Sequence, residues 1–110
     1  MSRTEDVVES SGNVFADLGI AEAGEALAKA ELARRIGEII RSRRLSQVEA
    51  GRLLGIDQPK VSGLLHGRLS GFSVDRLLRF LNALDRDVEI VIRRRPPRSR
   101  RRARVTVVAV

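Results

Sequence analysis

Apolar residues recur at helical spacing after about residue 20, and polar residues fill the positions between them. Four apolar residues at spacings of four, three and one share one helix face: Leu32, Ile36, Ile39 and Ile40. The pattern predicts a first helix over about residues 20–44. Because a glycine inside a helix costs about 1 kcal/mol relative to alanine, we expect Gly24 to mark a break and Gly37 a close contact with a neighbouring element.

Two short helices are predicted next, each bounded by capping residues. The Ser46 hydroxyl can accept from the amide of Glu49, whose carboxylate can reach back to the Ser46 amide; this capping box starts a helix that Gly55 ends. Asp57 is the expected N-cap of the following helix, over residues 58–66.

A fourth helix and a strand complete the pattern. The helix begins after Ser73, and its apolar stripe is Val74, Leu77, Leu78, Leu81 and Leu84. After Asp85 the period changes to two, which predicts a strand with Val88, Ile90 and Ile92 on one face. The strand needs a hydrogen-bonding partner, either residues 104–110 or the same strand of a second copy.

The predicted fold class is therefore mainly α, a four- to five-helix bundle with a short C-terminal β-strand. Residues 1–19 show no sustained period and are expected to form an acidic segment that is flexible or ordered by a partner. Residues 20–92 form the folded domain. Residues 93–110 form an arginine-rich tail that includes a second β-like run.

Charge is segregated along the chain, whose formal net charge is +7. Residues 1–31 hold seven acids and two bases, residues 32–92 seven acids and eleven bases, and residues 93–110 eight arginines and no acid. The resulting charges of −5, +4 and +8 favour a polyanion as the partner of the last two parts. The tail is either a phosphate-binding arm or a solvated segment. Aromatic residues are only 3% of the chain, which disfavours single-strand binding by base stacking.

Residues 47–66 have the layout of a helix-turn-helix unit, whose second helix enters the major groove of DNA. Gly55-Ile56-Asp57 joins the two helices, and Gly51 lies where the second helix crosses the first. The apolar residues of the unit face a common core and the polar residues remain outside. An ordinary antiparallel helix pair is the alternative interpretation, but it requires neither glycine in this register.

The exposed side chains of this unit suit double-stranded DNA. Gln58 can pair with adenine, Lys60 can reach guanine or a phosphate, and Ser62 can contact either. The complete set of predicted DNA-binding residues is Gln47, Gln58, Pro59, Lys60, Ser62, His66, Arg68, Arg43 and Arg44. His66 and the arginines that end the first helix have an equally good interpretation as residues that complement a helix dipole.

Composition excludes several other functions. The chain has no cysteine and one histidine, which excludes disulfide frameworks, zinc fingers and thiol catalysis. No Walker loop, dinucleotide fingerprint or metal-ligand spacing occurs, so we expect no enzyme activity, no cofactor and no metal. No stretch approaches the roughly 18 apolar residues of a membrane span, and no signal peptide is evident. A cytoplasmic, nucleoid-associated protein is expected.

Short motifs in the helix-turn-helix unit resemble the lambda-repressor/Cro (XRE-like) family of DNA-binding proteins. They are Leu45-Ser46-Gln47, Ala50-Gly51, Leu54-Gly55-Ile56, Gln58-Pro59-Lys60-Val61-Ser62 and Leu64-Leu65-His66-Gly67-Arg68. The resemblance spans about residues 32–84 and implies a lambda-repressor-like bundle that binds DNA.

A narrower resemblance is to HigA-type antitoxins of type II toxin–antitoxin pairs. It rests on residues 13–19, on Phe80-Leu81-Asn82-Ala83-Leu84 and on the strand at 87–92. It implies a dimeric repressor of its own operon that also binds a small RelE/HigB-like ribonuclease toxin. The tail beyond Arg95 departs from this pattern. A phage-type regulator without a toxin is the first alternative, and a protein-interaction module without DNA binding is the second.

Two surfaces are assigned to protein partners. The acidic N-terminal part can capture a basic toxin, with Val14, Phe15 and Leu18 as an apolar anchor; packing of Phe15 into the chain's own core is an equal alternative. An isologous homodimer is expected through Leu81, Leu84, Val88, Ile90 and Ile92. Such a dimer spaces two recognition helices about 34 Å apart on a pseudopalindromic operator.

Overall fold

Four helices make up most of what the computed structural model describes, which is residues 6–7, 22–98 and 105–109. They are α1 (Glu22–Ser42), α2 (Gln47–Leu54), α3 (Gln58–Leu65) and α4 (Val74–Ala83), with two short strands, β1 (Asp6–Val7) and β2 (Val91–Ile92). This is the predicted fold class, a mainly helical bundle with a short C-terminal strand. α1 is continuous from Glu22, so the break expected at Gly24 does not occur.

The core lies between α1 and the other three helices. α1 packs against α3 and α4, and α2 packs against the same two helices. The buried apolar residues form one cluster: Ala28, Leu32, Ala33, Ile36, Ile40, Ala50, Leu54, Val61, Leu64, Phe72, Val74, Leu77, Phe80, Leu81 and Leu84. Burial of α1 side chains from Ala28 onwards stabilises the helix and offsets the cost of its glycines. Gly37 faces α3, but the approach is not unusually close: an added Cβ would lie 3.5 Å from Leu65 Cδ2, an ordinary contact distance, and nearer to the guanidinium of Arg41 in α1 itself.

The loop between α3 and α4 is fixed by an aromatic cluster that the spacing of apolar residues does not predict. Phe72 and Phe80 meet edge to face with ring centroids 5.8 Å apart. The guanidinium of Arg76 lies 5.3 Å from the centroid of the Phe72 ring and 5.6 Å from that of Phe80. The Ser73 hydroxyl accepts from the Arg76 amide at 3.1 Å, so Ser73 is the N-cap of α4, and the prediction that this helix begins after Ser73 is confirmed.

β2 finds its partner at the other end of the chain. β1 and β2 form an antiparallel two-stranded sheet in which Asp6 is opposite Ile92 and Val7 is opposite Val91. No regular structure was expected in residues 1–19. The partner of β2 is therefore neither residues 104–110 nor a second copy, the two partners that the sequence suggested. β2 is also shorter than the strand expected over residues 88–92.

The described part of the tail has no regular secondary structure. Residues 105–109 form no strand, although Val105 and Val107 are half-buried against the core. They therefore do not pair with β2 as one alternative proposed. None of the described helices is long and apolar enough to cross a membrane.

Candidate nucleic-acid interface

α2 begins with the predicted capping box. The Ser46 hydroxyl accepts from the Glu49 amide, and a Glu49 carboxylate oxygen accepts from the Ser46 amide, both at 3.0 Å. The hydrogen bonds from the Ser46 backbone and hydroxyl hold the pKa of Glu49 below its ordinary range. The box satisfies two backbone amides at the start of α2 and holds the first turn of the helix, in which Gln47 lies.

Gly51 permits a close approach between α2 and the turn that leads to α3. A Cβ atom on Gly51 would lie 2.6 Å from the Ile56 carbonyl oxygen and 3.5 Å from Val61 Cγ2. The Gly51 carbonyl accepts from the amides of Gly55 and Ile56 at 2.8 and 3.0 Å. Gly55 adopts a φ of 74°, which a glycine takes without a Cβ penalty. A close approach at Gly51 is therefore present as predicted, but the atom that an added Cβ would meet first belongs to the turn, and α3 lies at an ordinary contact distance.

Asp57 holds the start of α3. One of its carboxylate oxygens accepts from the Lys60 amide at 3.0 Å, which confirms the predicted N-cap. Val61 and Leu64 are buried on the inner side of α3. Gln58, Pro59 and Lys60 are exposed together in its first turn, and Ser62 is half-buried one residue beyond the inward-facing Val61.

Gln47 and Gln58 lie side by side, although they are eleven residues apart. The Gln58 amide nitrogen donates to the Gln47 side-chain oxygen at 3.4 Å. A glutamine amide has two N–H donors and one carbonyl, so Gln58 keeps one donor and its acceptor for a base edge. Each of the two residues directly follows the N-cap of its helix. This shared position is the signal in the sequence that points to their contact.

His66 and Arg68 extend the polar surface at the other end of α3. The Nδ1 atom of His66 lies 2.7 Å from the Ser62 carbonyl oxygen, which can only accept, so Nδ1 carries the hydrogen. The Arg68 amide donates to the Gly63 carbonyl at 2.8 Å, and its exposed side chain passes over Gly63.

The two arginines that follow α1 differ in their surroundings. Arg43 Nη1 donates to the Leu84 carbonyl at 3.5 Å, so its charge complements the C-terminal end of α4. Arg44 is exposed and adopts a positive φ of 54° that reverses the chain before α2. Arg43 therefore complements a helix dipole, but the helix is α4 and not α1, which Arg43 follows.

The residues assigned to protein partners are placed unevenly. Leu81 and Leu84 are buried in the core of a single chain, which does not agree with the prediction that they contact a second copy. Val88 and Ile92 are exposed at 37% and 39%, and Ile90 is half-buried. The predicted toxin anchor, Val14, Phe15 and Leu18, lies outside the described residues. Within the described ranges, no group of acidic or histidine side chains is suited to a metal ion.

Comparison with known proteins agrees with this geometry. A family described as a helix-turn-helix domain matches residues 14–93. The chain therefore belongs to the helix-turn-helix domain family. A solved structure assigned provisionally to the XRE family of transcriptional regulators is 53% identical; the alignment covers 82% of this chain and all of that one, with a TM-score of 0.75. No curated protein matches the chain.

Proposed function

We propose that the protein is an XRE-type transcriptional repressor that binds double-stranded DNA in a sequence-specific manner. The observation that carries the proposal is the exposed first turn of α3, held by the Asp57 cap and by the close contact at Gly51. Side chains at the start of a recognition helix reach the base edges of the major groove. The 53% identity to a regulator of this type supports the same function. A cytoplasmic, nucleoid-associated location is part of the proposal.

Gln58 and Lys60 are the proposed base-reading residues. Gln58 pairs with adenine through its free donor and acceptor, and Gln47 orients its amide. Lys60 contacts guanine or a phosphate, and Pro59 and Ser62 complete the surface in the groove. Mutation of Gln58 is therefore expected to affect specificity rather than binding to all DNA.

Phosphate contacts are proposed around this base-reading surface. Gln47 offers its backbone amide at the start of α2, and Arg44, His66 and Arg68 are exposed near the ends of helices. Arg43 takes part only by giving up or sharing its contact with Leu84. The arginine-rich tail is proposed as a non-specific arm, since five further arginines follow residue 95.

The regulator is proposed to act as a homodimer on a pseudopalindromic operator. The partly exposed Val88 and Ile92 support a contact near β2, whereas the burial of Leu81 and Leu84 argues against a contribution from these two side chains. Sedimentation at micromolar concentration tests this claim, and a monomer contradicts it.

The finer proposal is that the repressor is also the antitoxin of a small basic ribonuclease. The charge of −5 over residues 1–31 supports it, because an acidic segment complements a basic nucleic-acid-binding surface. Co-expression with the product of the neighbouring gene, followed by size-exclusion chromatography, tests the proposal. Co-elution supports an antitoxin, and separate elution of the two proteins supports a stand-alone regulator.

DNA binding is tested independently by enrichment from a pool of random duplexes. The proposal predicts that a common sequence emerges and that its duplex binds far more tightly than its separated strands. Failure to enrich any sequence, at low salt where phosphate contacts are strongest, contradicts a sequence-specific repressor.

A further inference from the structure

Gly63 is buried although it lies on the outward side of α3. It follows Pro59 by four residues and precedes His66 by three, spacings that place residues on one helix face, and both of these residues are exposed. An added Cβ atom on Gly63 would meet only Arg68 at close range, with Nε at 3.7 Å, Cβ at 3.8 Å and the carbonyl oxygen at 3.9 Å. Arg68, rather than the core, therefore covers Gly63.

The end of α3 fixes Arg68 in this place. Gly67 adopts a φ of 78°, and its amide donates to the Leu64 carbonyl at 3.2 Å. The Arg68 amide donates to the Gly63 carbonyl at 2.8 Å. This pair of hydrogen bonds forms a Schellman motif, which brings the second residue after the helix cap against the third residue before it. An apolar pair commonly fills these two positions, but here they hold an arginine and a glycine.

The guanidinium of Arg68 is available to a ligand. Within the part of the chain that the structure describes, no residue forms a hydrogen bond or an ion pair with it, whereas Arg34 bridges Glu31 and Glu38. The five N–H donors of a guanidinium form a planar fork that matches the O6 and N7 acceptors of guanine in the major groove. Because the stem of Arg68 already lies over Gly63, less side-chain entropy is lost when the guanidinium is bound.

We propose that Arg68 reads a guanine of the operator from the exposed side of α3. The inference rests on the proposed sequence-specific repressor and assigns Arg68 to a base edge in place of a phosphate. Gly63 lies five residues beyond Gln58, which is about 7.5 Å along the helix axis, or about two base-pair steps of DNA. Each half-site is therefore expected to hold a G·C pair about two base pairs from the A·T pair that Gln58 reads.

A phosphate contact by Arg68 would have different consequences for binding. Loss of a phosphate contact weakens binding to all sequences about equally, whereas loss of a base contact relaxes specificity at one position. Arg44 provides the matched control. It is an exposed arginine outside α3 whose proposed contact is with a phosphate.

The first measurement repeats the enrichment from random duplexes with Arg68→Met, which keeps an unbranched stem over Gly63 but has no donor. One guanine of the wild-type sequence is expected to become random, and the other positions are expected to persist. Arg44→Met is expected to enrich the wild-type sequence. An unchanged sequence with Arg68→Met overturns this inference alone, whereas a wild-type protein that enriches no sequence overturns the proposed function and this inference together.

The second measurement replaces that guanine by 7-deazaguanine, which lacks the N7 acceptor but keeps Watson–Crick pairing. The wild type and Arg44→Met are each expected to bind the modified duplex at least about fivefold more weakly than the unmodified one.

Arg68→Met is expected to bind the unmodified duplex about 5- to 150-fold more weakly than the wild type does. It should not distinguish the two duplexes, because the donor to N7 is already absent. Equal losses on the modified duplex for all three proteins overturn the inference. Equal Tm values show that the substitutions leave the fold intact.

Discussion

Gly51→Ala is expected to destabilise the protein because no space exists for the added methyl group. The Cβ atom would lie 2.6 Å from the Ile56 carbonyl oxygen, and ordinary contact begins near 3.4 Å, so the turn must move by about 0.8 Å. The obstructing atom belongs to the backbone and cannot change rotamer. Movement of Ile56 also stretches the hydrogen bond that its amide makes to the Gly51 carbonyl at 3.0 Å.

The expected magnitude follows from opposing contributions. Overpacking of a well-packed site costs about 1 to 3 kcal/mol, and a weakened capping hydrogen bond adds about 0.5 kcal/mol or more. The better helix propensity of alanine returns about 1 kcal/mol. A net loss of about 0.5 to 2.5 kcal/mol in the free energy of unfolding is expected, which lowers the Tm by about 2 to 20 °C for a domain of this size.

Gly63→Ala is the matched control in the next helix. Gly63 is also buried, but the nearest atom to its added Cβ would be Arg68 Nε at 3.7 Å, an ordinary contact distance. This variant is expected to equal the wild type or gain up to about 1 kcal/mol. Thermal and urea unfolding followed by circular dichroism measures both. The steric argument fails if Gly51→Ala is as stable as the wild type, or if both variants lose the same stability.

Three further predictions concern charge. Glu49→Gln keeps an acceptor for the Ser46 amide but does not titrate. Because the folded-state pKa of Glu49 is lowered, the wild type should lose stability relative to this variant as the pH falls through that pKa. Parallel acid-unfolding curves of the two proteins would contradict this. Arg76→Ala should cost about 1 kcal/mol by removing the guanidinium from two aromatic rings, whereas the exposed Arg79→Ala should change stability by less than about 0.5 kcal/mol. Replacing the five arginines within residues 98–104 by glutamine should reduce the salt dependence of DNA affinity by about 0.9 in log–log slope for each phosphate that the tail no longer neutralises, and an unchanged slope indicates a solvated tail.

Local features of the fold were predictable because their causes lie within a few residues. The caps at Ser46, Asp57 and Ser73 are hydrogen bonds to an amide three residues away, so a short motif contains all that is needed. Gly55 likewise ends α2 through its own φ. The layout of the candidate site follows from these boundaries, since they decide which side chains stand in the first turn of α3.

Features that depend on distant parts of the chain were not predictable in the same way. A two-residue strand such as β1 has no period, and its pairing with β2 joins residues more than eighty positions apart. The stripe on α4 was assigned to both core and dimer because periodicity does not say what covers an apolar face; burial assigns Leu81 and Leu84 to the core. The contact of Arg43 with Leu84 and the two rings around Arg76 depend on how the helices pack.

The most direct test of the account is the affinity of wild-type protein and Gln58→Ala for two duplexes, the enriched sequence and a scrambled sequence of the same composition, at one salt concentration. Removal of a base contact costs about 1 to 3 kcal/mol, which is about 5- to 150-fold in affinity. Base recognition by Gln58 predicts that reduction on the enriched duplex and no change on the scrambled one, with equal Tm values for the two proteins. An equal reduction on both duplexes, or a wild-type protein that does not distinguish them, would contradict base recognition by α3.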